Sequence, residues 1–126
     1  MSSLEADRVA TMAIDDLPSL YDGLIKLARS GMGVTAFGVQ VMDLPPDYTT
    51  QSHDEADSGQ QELYVGLRGA GWVLTDEQRL PIGEGMLIRI DAGVGRRLAS
   101  GPDGVRILCV GGLPGGVYQP PEWTAE

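Results

Sequence analysis

The chain has 126 residues and a mass of 13.4 kDa, which is enough for one domain that buries its own core. Its 9 Lys and Arg residues against 18 Asp and Glu residues give a net charge of −9. This charge argues against nucleic acid and anionic membranes as partners, because both are bound by clustered basic residues. The 18 glycines are about twice the usual share of ~7%. They exclude a helical bundle, because glycine destabilises helices.

The ends of the chain and its cysteine indicate a cytoplasmic protein. No apolar stretch reaches membrane-spanning length, and the first sixteen residues contain four acidic residues and no apolar run typical of a secretory signal. Cys109 is the only cysteine, which excludes an intramolecular disulfide and fits a reducing compartment. It lies in the apolar run 105–110, where we expect a buried, inert thiol.

A short helix is predicted near the N-terminus. Asp16 can cap it, and Pro18 is tolerated in its first turn. Apolar residues then follow steps of three and four, which places them on one helical face: Leu17, Leu20, Leu24, Leu27 and Ala28. We expect Gly31 and Gly33 to end this helix.

From residue 34 onward the sequence predicts short strands separated by frequent turn signals. The strands are predicted at residues 34–42, 63–67, 72–74, 86–90, 97–99 and 105–110. We expect Gly69 and Gly71 to end one strand, and residues 101–104 to form a turn between the last two. Because no helical pattern alternates with these strands, a parallel α/β sheet is excluded and a sandwich or barrel is favoured.

Residues 51–69 resemble the first motif of the cupin family. That motif has two His residues one residue apart, then a Glu, then six residues and a Gly. Glu62 and Gly69 match its second half, and His53 lies where the second His would be. Gln51 replaces the first His, and an acidic insertion at residues 54–59 lengthens the gap from His53 to Glu62 to eight residues.

Residues 85–96 resemble the second cupin motif, which reads Gly, five residues, Pro, one residue, Gly, two residues, His. Gly85 and Gly93 keep this glycine frame. Asp91 replaces the Pro, and Arg96 replaces the metal-binding His. With both motifs in this order, the chain is similar to small single-domain bacterial cupins.

This resemblance implies an all-β double-stranded β-helix barrel with a short N-terminal helix. It divides the chain into an arm and helix at residues 1–33, a barrel at 34–112 and an irregular tail packed on the barrel at 113–126. It also implies a pocket in the barrel for a small-molecule ligand, and a homodimer, which would cover exposed edge strands. Neither nucleic acid nor a membrane is an expected partner.

A metal in such a barrel would need three or four inward-facing ligands. His53 and Glu62 are suitable ligand types. Gln51 or Glu55 could supply a third ligand, and an oxygen-rich set would suit Mn²⁺ better than Zn²⁺. Arg96 opposes a metal, because a guanidinium has no acceptor atom and repels cations. We therefore expect no tightly held catalytic metal. A weakly held Mn, Fe, Ni or Zn ion is the alternative.

Three placements of Arg96 are open. It could pair with Glu62 inside the barrel as a structural replacement for the metal. It could clamp an anionic ligand, because its planar fork matches a carboxylate or phosphate. It could also lie on the surface. Arg97 should face outward, because side chains alternate along a strand.

Other polar and aromatic residues are expected near the pocket. His53 and Glu62 could act as general acid and base. Tyr64 lies two residues after Glu62, so both share one face of a strand. Tyr48 and Trp72 are expected as aromatic walls, although core packing would suit Trp72 as well. The expected ligand-binding set is Tyr48, Gln51, His53, Glu62, Tyr64, Trp72 and Arg96.

Three functions are compatible with these residues. The first is a cupin that binds a small anionic or phenolic molecule without a tightly held metal. The second is a metal-dependent oxygenase, isomerase or cyclase acting on a small organic acid or phenol. The third is a non-catalytic accessory or regulatory domain. The fold alone does not decide whether the protein is an enzyme.

Overall fold

The protein forms one antiparallel sheet of seven strands, which confirms the all-β prediction. The structure is a computed structural model and describes residues 8–120. Its strands are β1 (Ser19–Leu20), β2 (Ile25–Lys26), β3 (Gly38–Leu44), β4 (Gln61–Leu74), β5 (Arg79–Gly83), β6 (Leu87–Ile90) and β7 (Arg97–Gly112). Their order is β1-β2-β3-β7-β4-β5, and β6 pairs with the first part of β4.

Two long, bent strands, β4 and β7, form the centre of the sheet. β7 pairs with β4 along one side and with β3 along the other. The predicted breaks in these strands are wrong, because β4 continues through Gly69 and β7 continues through residues 101–104. The register shifts after Gly66 and again after Gly69, where residues 101–104 have no partner on β4. Extra residues on one strand of a pair bend the sheet without ending it.

Glycines in β4 are required by the close approach of other backbone segments. A Cβ atom at Gly66 would overlap the carbonyl oxygen of Gly83, and one at Gly69 would overlap that of Gly104. Gly69 also has a φ of +75°, in the left-handed region that other residues rarely adopt. Part of the high glycine content therefore serves the tight bends of the sheet.

The predicted N-terminal helix is wrong over residues 17–27 and is confirmed only at its end, where Gly33 terminates it as predicted. A 3-10 turn (Ile14–Asp16) is followed by a hairpin of β1 and β2, and helix α1 spans only Ala28–Met32. Residues 21–23 all have positive φ, which reverses the chain between the two strands. Residues 25–26 therefore form a strand because β2 pairs with β3, although the apolar spacing of this segment favours a helix.

The core follows the alternation of side chains along the strands. On β4, Tyr64 and Val73 are buried and Leu63 is exposed. The buried cluster consists of Met42, Leu44, Tyr64, Val73, Ile82, Ile90, Leu98, Val105, Ile107 and Cys109. Cys109 is therefore buried, as predicted, and Arg97 is exposed, as predicted.

The division of the chain at residues 33 and 113 stays a prediction. β1 and β2 precede residue 33 and extend the sheet through β3. In the tail, Tyr118 is buried, with its ring close to Gly38. The ends of the predicted arm and tail, residues 1–7 and 121–126, lie outside the described residues. Across residues 8–120, no helix combines the length and apolar character needed to cross a membrane.

Candidate functional site

The segment at residues 48–53 runs along the start of β7 and brings two candidate residues together. Backbone hydrogen bonds join His53 and Arg96 in both directions, with N···O distances of 2.9 and 2.8 Å. The amide of Thr50 donates to the carbonyl of Leu98 at 2.9 Å. Arg96 and Leu98 are buried, so the side chain of Arg96 enters the barrel beside His53.

Arg96 forms an internal ion pair with Glu62, which was one of its three predicted placements. The side chain of Arg96 has no exposed surface, and that of Glu62 is 13% exposed. One terminal nitrogen of Arg96 donates to Oε1 of Glu62, the other donates to the carbonyl of Val94 at 2.8 Å, and Nε donates to the Tyr64 hydroxyl at 3.2 Å. That hydroxyl donates to the same Glu62 oxygen at 2.7 Å. The surface alternative for Arg96 is therefore wrong.

These contacts set the charges at the site. Burial opposes ionisation of Glu62, but the imidazole of His53 nearby and hydrogen bonds from Arg96 and Tyr64 outweigh it and lower its pKa from 4.5 to about 2. Burial and the nearby carboxylate raise the pKa of the Tyr64 hydroxyl. Burial opposes the charge of Arg96, but Glu62 and Tyr64 outweigh it and raise its pKa. Glu62 is thus ionised and Tyr64 neutral at neutral pH.

Glu55 completes a cluster of three candidate metal ligands. Nε2 of His53 lies 3.5 Å from Oε2 of Glu55 and 3.8 Å from Oε1 of Glu62. Donor atoms of the three residues all lie within 4.8 Å of one another. One imidazole and two carboxylates fit a divalent cation such as Mn²⁺ in type and spacing. However, Oε1 of Glu62 already accepts hydrogen bonds from Arg96 and Tyr64, which weakens it as a ligand.

A cavity of about 1230 Å³ adjoins this cluster. It exceeds the ~300–1,000 Å³ of typical ligand pockets and can hold a small molecule together with water. Its apolar wall includes Leu24, Ile25, Leu27, Val39, Met42, Leu98 and Cys109. Its polar wall includes Gln40, Tyr48, Gln51, His53, Glu55, Asp57, Gln60, Glu62 and Tyr64. Burial raises the pKa of the Cys109 thiol, which therefore contributes a neutral surface.

Two of the expected ligand-binding residues do not reach the cavity. Arg96 is absent from its wall, so the structure does not support a guanidinium clamp for an anionic ligand. Trp72 is half-buried on the outer face of β4, where the guanidinium carbon of Arg79 lies 4.1 Å from its ring centroid. The register shifts between Gly66 and Gly71 change the alternation of side chains, so Val73 faces inward instead of Trp72.

Other residues of the cavity wall were not among the predicted site residues. Gln40 lies between Val39 and Val41, and a polar residue within an apolar strand was an available signal for an inward-facing site. Tyr118 comes from the irregular tail, where no periodicity indicated its position.

Several solved structures with similar backbones are cupin proteins. A cupin protein from Bacteroides fragilis matches 95% of this chain and 96% of its own at 17% identity, with a TM-score of 0.69. A predicted oxalate decarboxylase from Thermotoga maritima matches 71% of this chain and 79% of its own at 24% identity, with a TM-score of 0.59. A cupin-2 domain protein from Shewanella frigidimarina matches 60% and 69% at 15% identity, with a TM-score of 0.51.

The chain therefore has the cupin fold, which confirms the resemblance found in its motifs. At these identities the likeness establishes the fold alone. No protein-family profile and no curated protein sequence matches the chain.

Proposed function

We propose that this protein binds a small phenolic molecule in its barrel cavity without a tightly held metal. The observation that carries the proposal is the cluster of His53, Glu55, Glu62 and Tyr64 beside a cavity whose other wall is apolar. A few convergent polar groups in a mainly apolar cavity are typical of small-molecule sites.

The chemistry of the cluster favours a ligand that donates hydrogen bonds. Ionised carboxylates such as Glu62 accept hydrogen bonds and cannot donate them, so a phenolic hydroxyl is a suitable partner. The phenol ring would pack against apolar residues such as Met42 and Leu98. The anionic alternative is not retained, because the guanidinium of Arg96 is engaged by Glu62 and forms no part of the wall.

Of the two residues predicted as acid and base, His53 is suited to proton transfer. A pKa of about 2 makes the Glu62 carboxylate a weak base at neutral pH. The imidazole of His53 is 46% exposed, and its Nε2 faces Glu55 and Glu62. We therefore assign acid–base chemistry at this site to His53.

A metal-dependent enzyme acting on a small organic acid or phenol is the second candidate. The three donor atoms within 4.8 Å favour it. His53, Glu55 and Glu62 would hold the ion, and the ion would polarise an oxygen of the substrate. The positive charge of Arg96 at Glu62 opposes this function.

Titration calorimetry separates these functions. Chelator-treated protein is titrated with 4-ethylphenol, and separately with Mn²⁺, Fe²⁺, Ni²⁺ and Zn²⁺. The proposal predicts stoichiometric binding of 4-ethylphenol to the metal-free protein. Binding of the phenol only after a metal has bound would favour the second candidate. Binding of neither would favour a non-catalytic accessory domain.

The variant His53→Ala tests whether the ligand binds at the cluster of His53, Glu55, Glu62 and Tyr64. Because the side chain is nearly half exposed, its removal should change the free energy of unfolding by less than about 1 kcal/mol. The affinity for 4-ethylphenol should fall roughly tenfold or more, as expected for a lost hydrogen bond. Gln78→Ala, in the exposed turn between β4 and β5, is the control. Unchanged binding by His53→Ala would show that the proposed site is wrong.

A further inference from the structure

We propose that the ligand of this cavity carries a protonated amine in addition to its phenol ring. The inference rests on the proposed function, because it names the charge of the molecule that the same cavity takes. Its support comes from the carboxylates, the tyrosines and the apolar residues of the cavity wall.

Carboxylates outnumber cations on the wall. Three come from the loop at residues 54–57 and one from β4: Asp54, Glu55, Asp57 and Glu62. Arg96 offsets the charge of Glu62, and Arg29 contributes a guanidinium from α1. The loop carboxylates still leave the wall acidic, so it attracts a cation and repels an anion.

All four tyrosines of the chain line this cavity. They come from the turn between β1 and β2, the segment beside β7, β4 and the tail: Tyr21, Tyr48, Tyr64 and Tyr118. The face of a tyrosine ring attracts a cation, and aromatic rings recur in proteins that bind organic ammonium groups. Tyrosines and carboxylates around one cavity therefore favour an ammonium group.

The apolar wall requires that the cation belongs to a larger molecule. Residues such as Leu24, Ile25 and Met42 offer no oxygen ligand to a small hydrated ion. They favour the ring and methylene groups of an organic amine. The net charge of −9 adds a long-range attraction for cations.

Three probes that share one ring test the charge preference. Tyramine, 4-ethylphenol and 4-hydroxyphenylacetate carry a positive, a neutral and a negative side chain at neutral pH. By titration calorimetry at low salt, we expect tyramine to bind roughly three- to thirtyfold more tightly than 4-ethylphenol, and the acid to bind most weakly. High salt should reduce this preference, because it screens exposed charges.

Two double variants test whether the loop at residues 54–57 causes the preference for tyramine over 4-ethylphenol. Asp54→Asn with Asp57→Asn removes two carboxylates from the cavity wall, whereas Asp76→Asn with Glu77→Gln removes two from the exposed turn between β4 and β5. The first pair should weaken tyramine binding roughly three- to tenfold more than it weakens 4-ethylphenol binding. The second pair, with the same loss of net charge, should change neither affinity by more than about twofold.

The outcomes distinguish this inference from the proposed function. Equal affinities for tyramine and 4-ethylphenol, or tighter binding of the acid, would overturn the inference and leave the proposed function intact. An equal loss of tyramine affinity in both variant pairs would also overturn it. If none of the three probes binds, the proposed function is wrong and the inference falls with it.

Discussion

The buried ion pair of Arg96 and Glu62 determines which groups the cavity offers to a ligand. Arg96 uses its donors on Glu62, Tyr64 and the carbonyl of Val94, so it presents no free guanidinium to the cavity. Glu62 is kept ionised inside the barrel by these contacts. Under the proposed function, a ligand would meet acceptors at this end of the cavity, and His53 is the group we propose for proton transfer.

Removing the charge of Arg96 should lower the free energy of unfolding far more than removing the charge of Arg97. Arg96→Met leaves the Glu62 carboxylate buried without its cation, which should lower the free energy of unfolding by about 3–5 kcal/mol. Arg97→Met alters an exposed side chain and should change it by less than about 0.5 kcal/mol. Urea unfolding measures both. Similar losses in the two variants would contradict the buried ion pair.

Glu62 should also make stability depend on pH. Its pKa is about 2 in the folded protein and 4.5 ordinarily, so its ionised form stabilises the fold above about pH 4.5. That contribution is lost as the pH falls from about 4.5 towards 2. Urea unfolding between pH 3 and 6 in the presence of EDTA measures it. Glu62→Gln should flatten this dependence, and an unchanged slope would contradict the assignment.

The residue patterns predicted part of the site. Alternation correctly placed Glu62 and Tyr64 on one face, and the substitution of Arg96 for a His suggested its internal pairing. The expectation that Trp72 forms an aromatic wall of the cavity is wrong, because no local pattern indicates the register shifts between Gly66 and Gly71. Which loop carboxylate reaches His53 depends on the path of the loop, and spacing alone does not give that path.

At the scale of the elements, the bends of β4 determine which of its residues face the core. The register shifts in β4 reverse which residues face inward between Tyr64 and Val73. Close backbone approach at Gly66 and Gly69 allows these bends. Gly69 and Gly71 therefore lie within a curved strand, whereas they were predicted to end one.

Alanine substitutions test whether glycine is required in β4 because another backbone segment lies close to it, and not because of its strand propensity. Gly66→Ala places a Cβ atom against the carbonyl oxygen of Gly83 and should cost about 2–3 kcal/mol of unfolding free energy or more. Gly112→Ala, on β7, meets no atom within 4 Å and should change stability by less than about 0.5 kcal/mol. Thermal unfolding of both variants checks this. A neutral Gly66→Ala would contradict the described path of β4.

The element predictions succeeded for most of the central strands and failed at the N-terminus. Apolar and β-branched runs between turn residues predicted most of β3, β4, β6 and β7, whereas β5 was not among the predicted strands. The segment before α1 has apolar spacing that suits a helix, but its hydrogen-bond partner is β3, which lies later in the chain. A local sequence pattern does not indicate a hydrogen-bonding partner that only the tertiary structure supplies.

For the whole molecule, a homodimer stays a prediction. The sheet carries partly exposed apolar side chains, including Leu63, Met86 and Leu87, which a second copy could cover. Light scattering after size-exclusion chromatography should give twice the 13.4 kDa of the chain at micromolar concentration. A mass equal to that of one chain would reject the dimer.

The location of the bound ligand tests the central claim most directly. An NMR titration of the labelled protein with tyramine reports on amides throughout the described fold. We predict the largest shifts at Gln40, Glu62 and Cys109 inside the cavity and at residues 54–57 on its rim. Shifts confined to the outer face, at residues such as Leu63 and Leu87, would show that the barrel cavity is not the binding site.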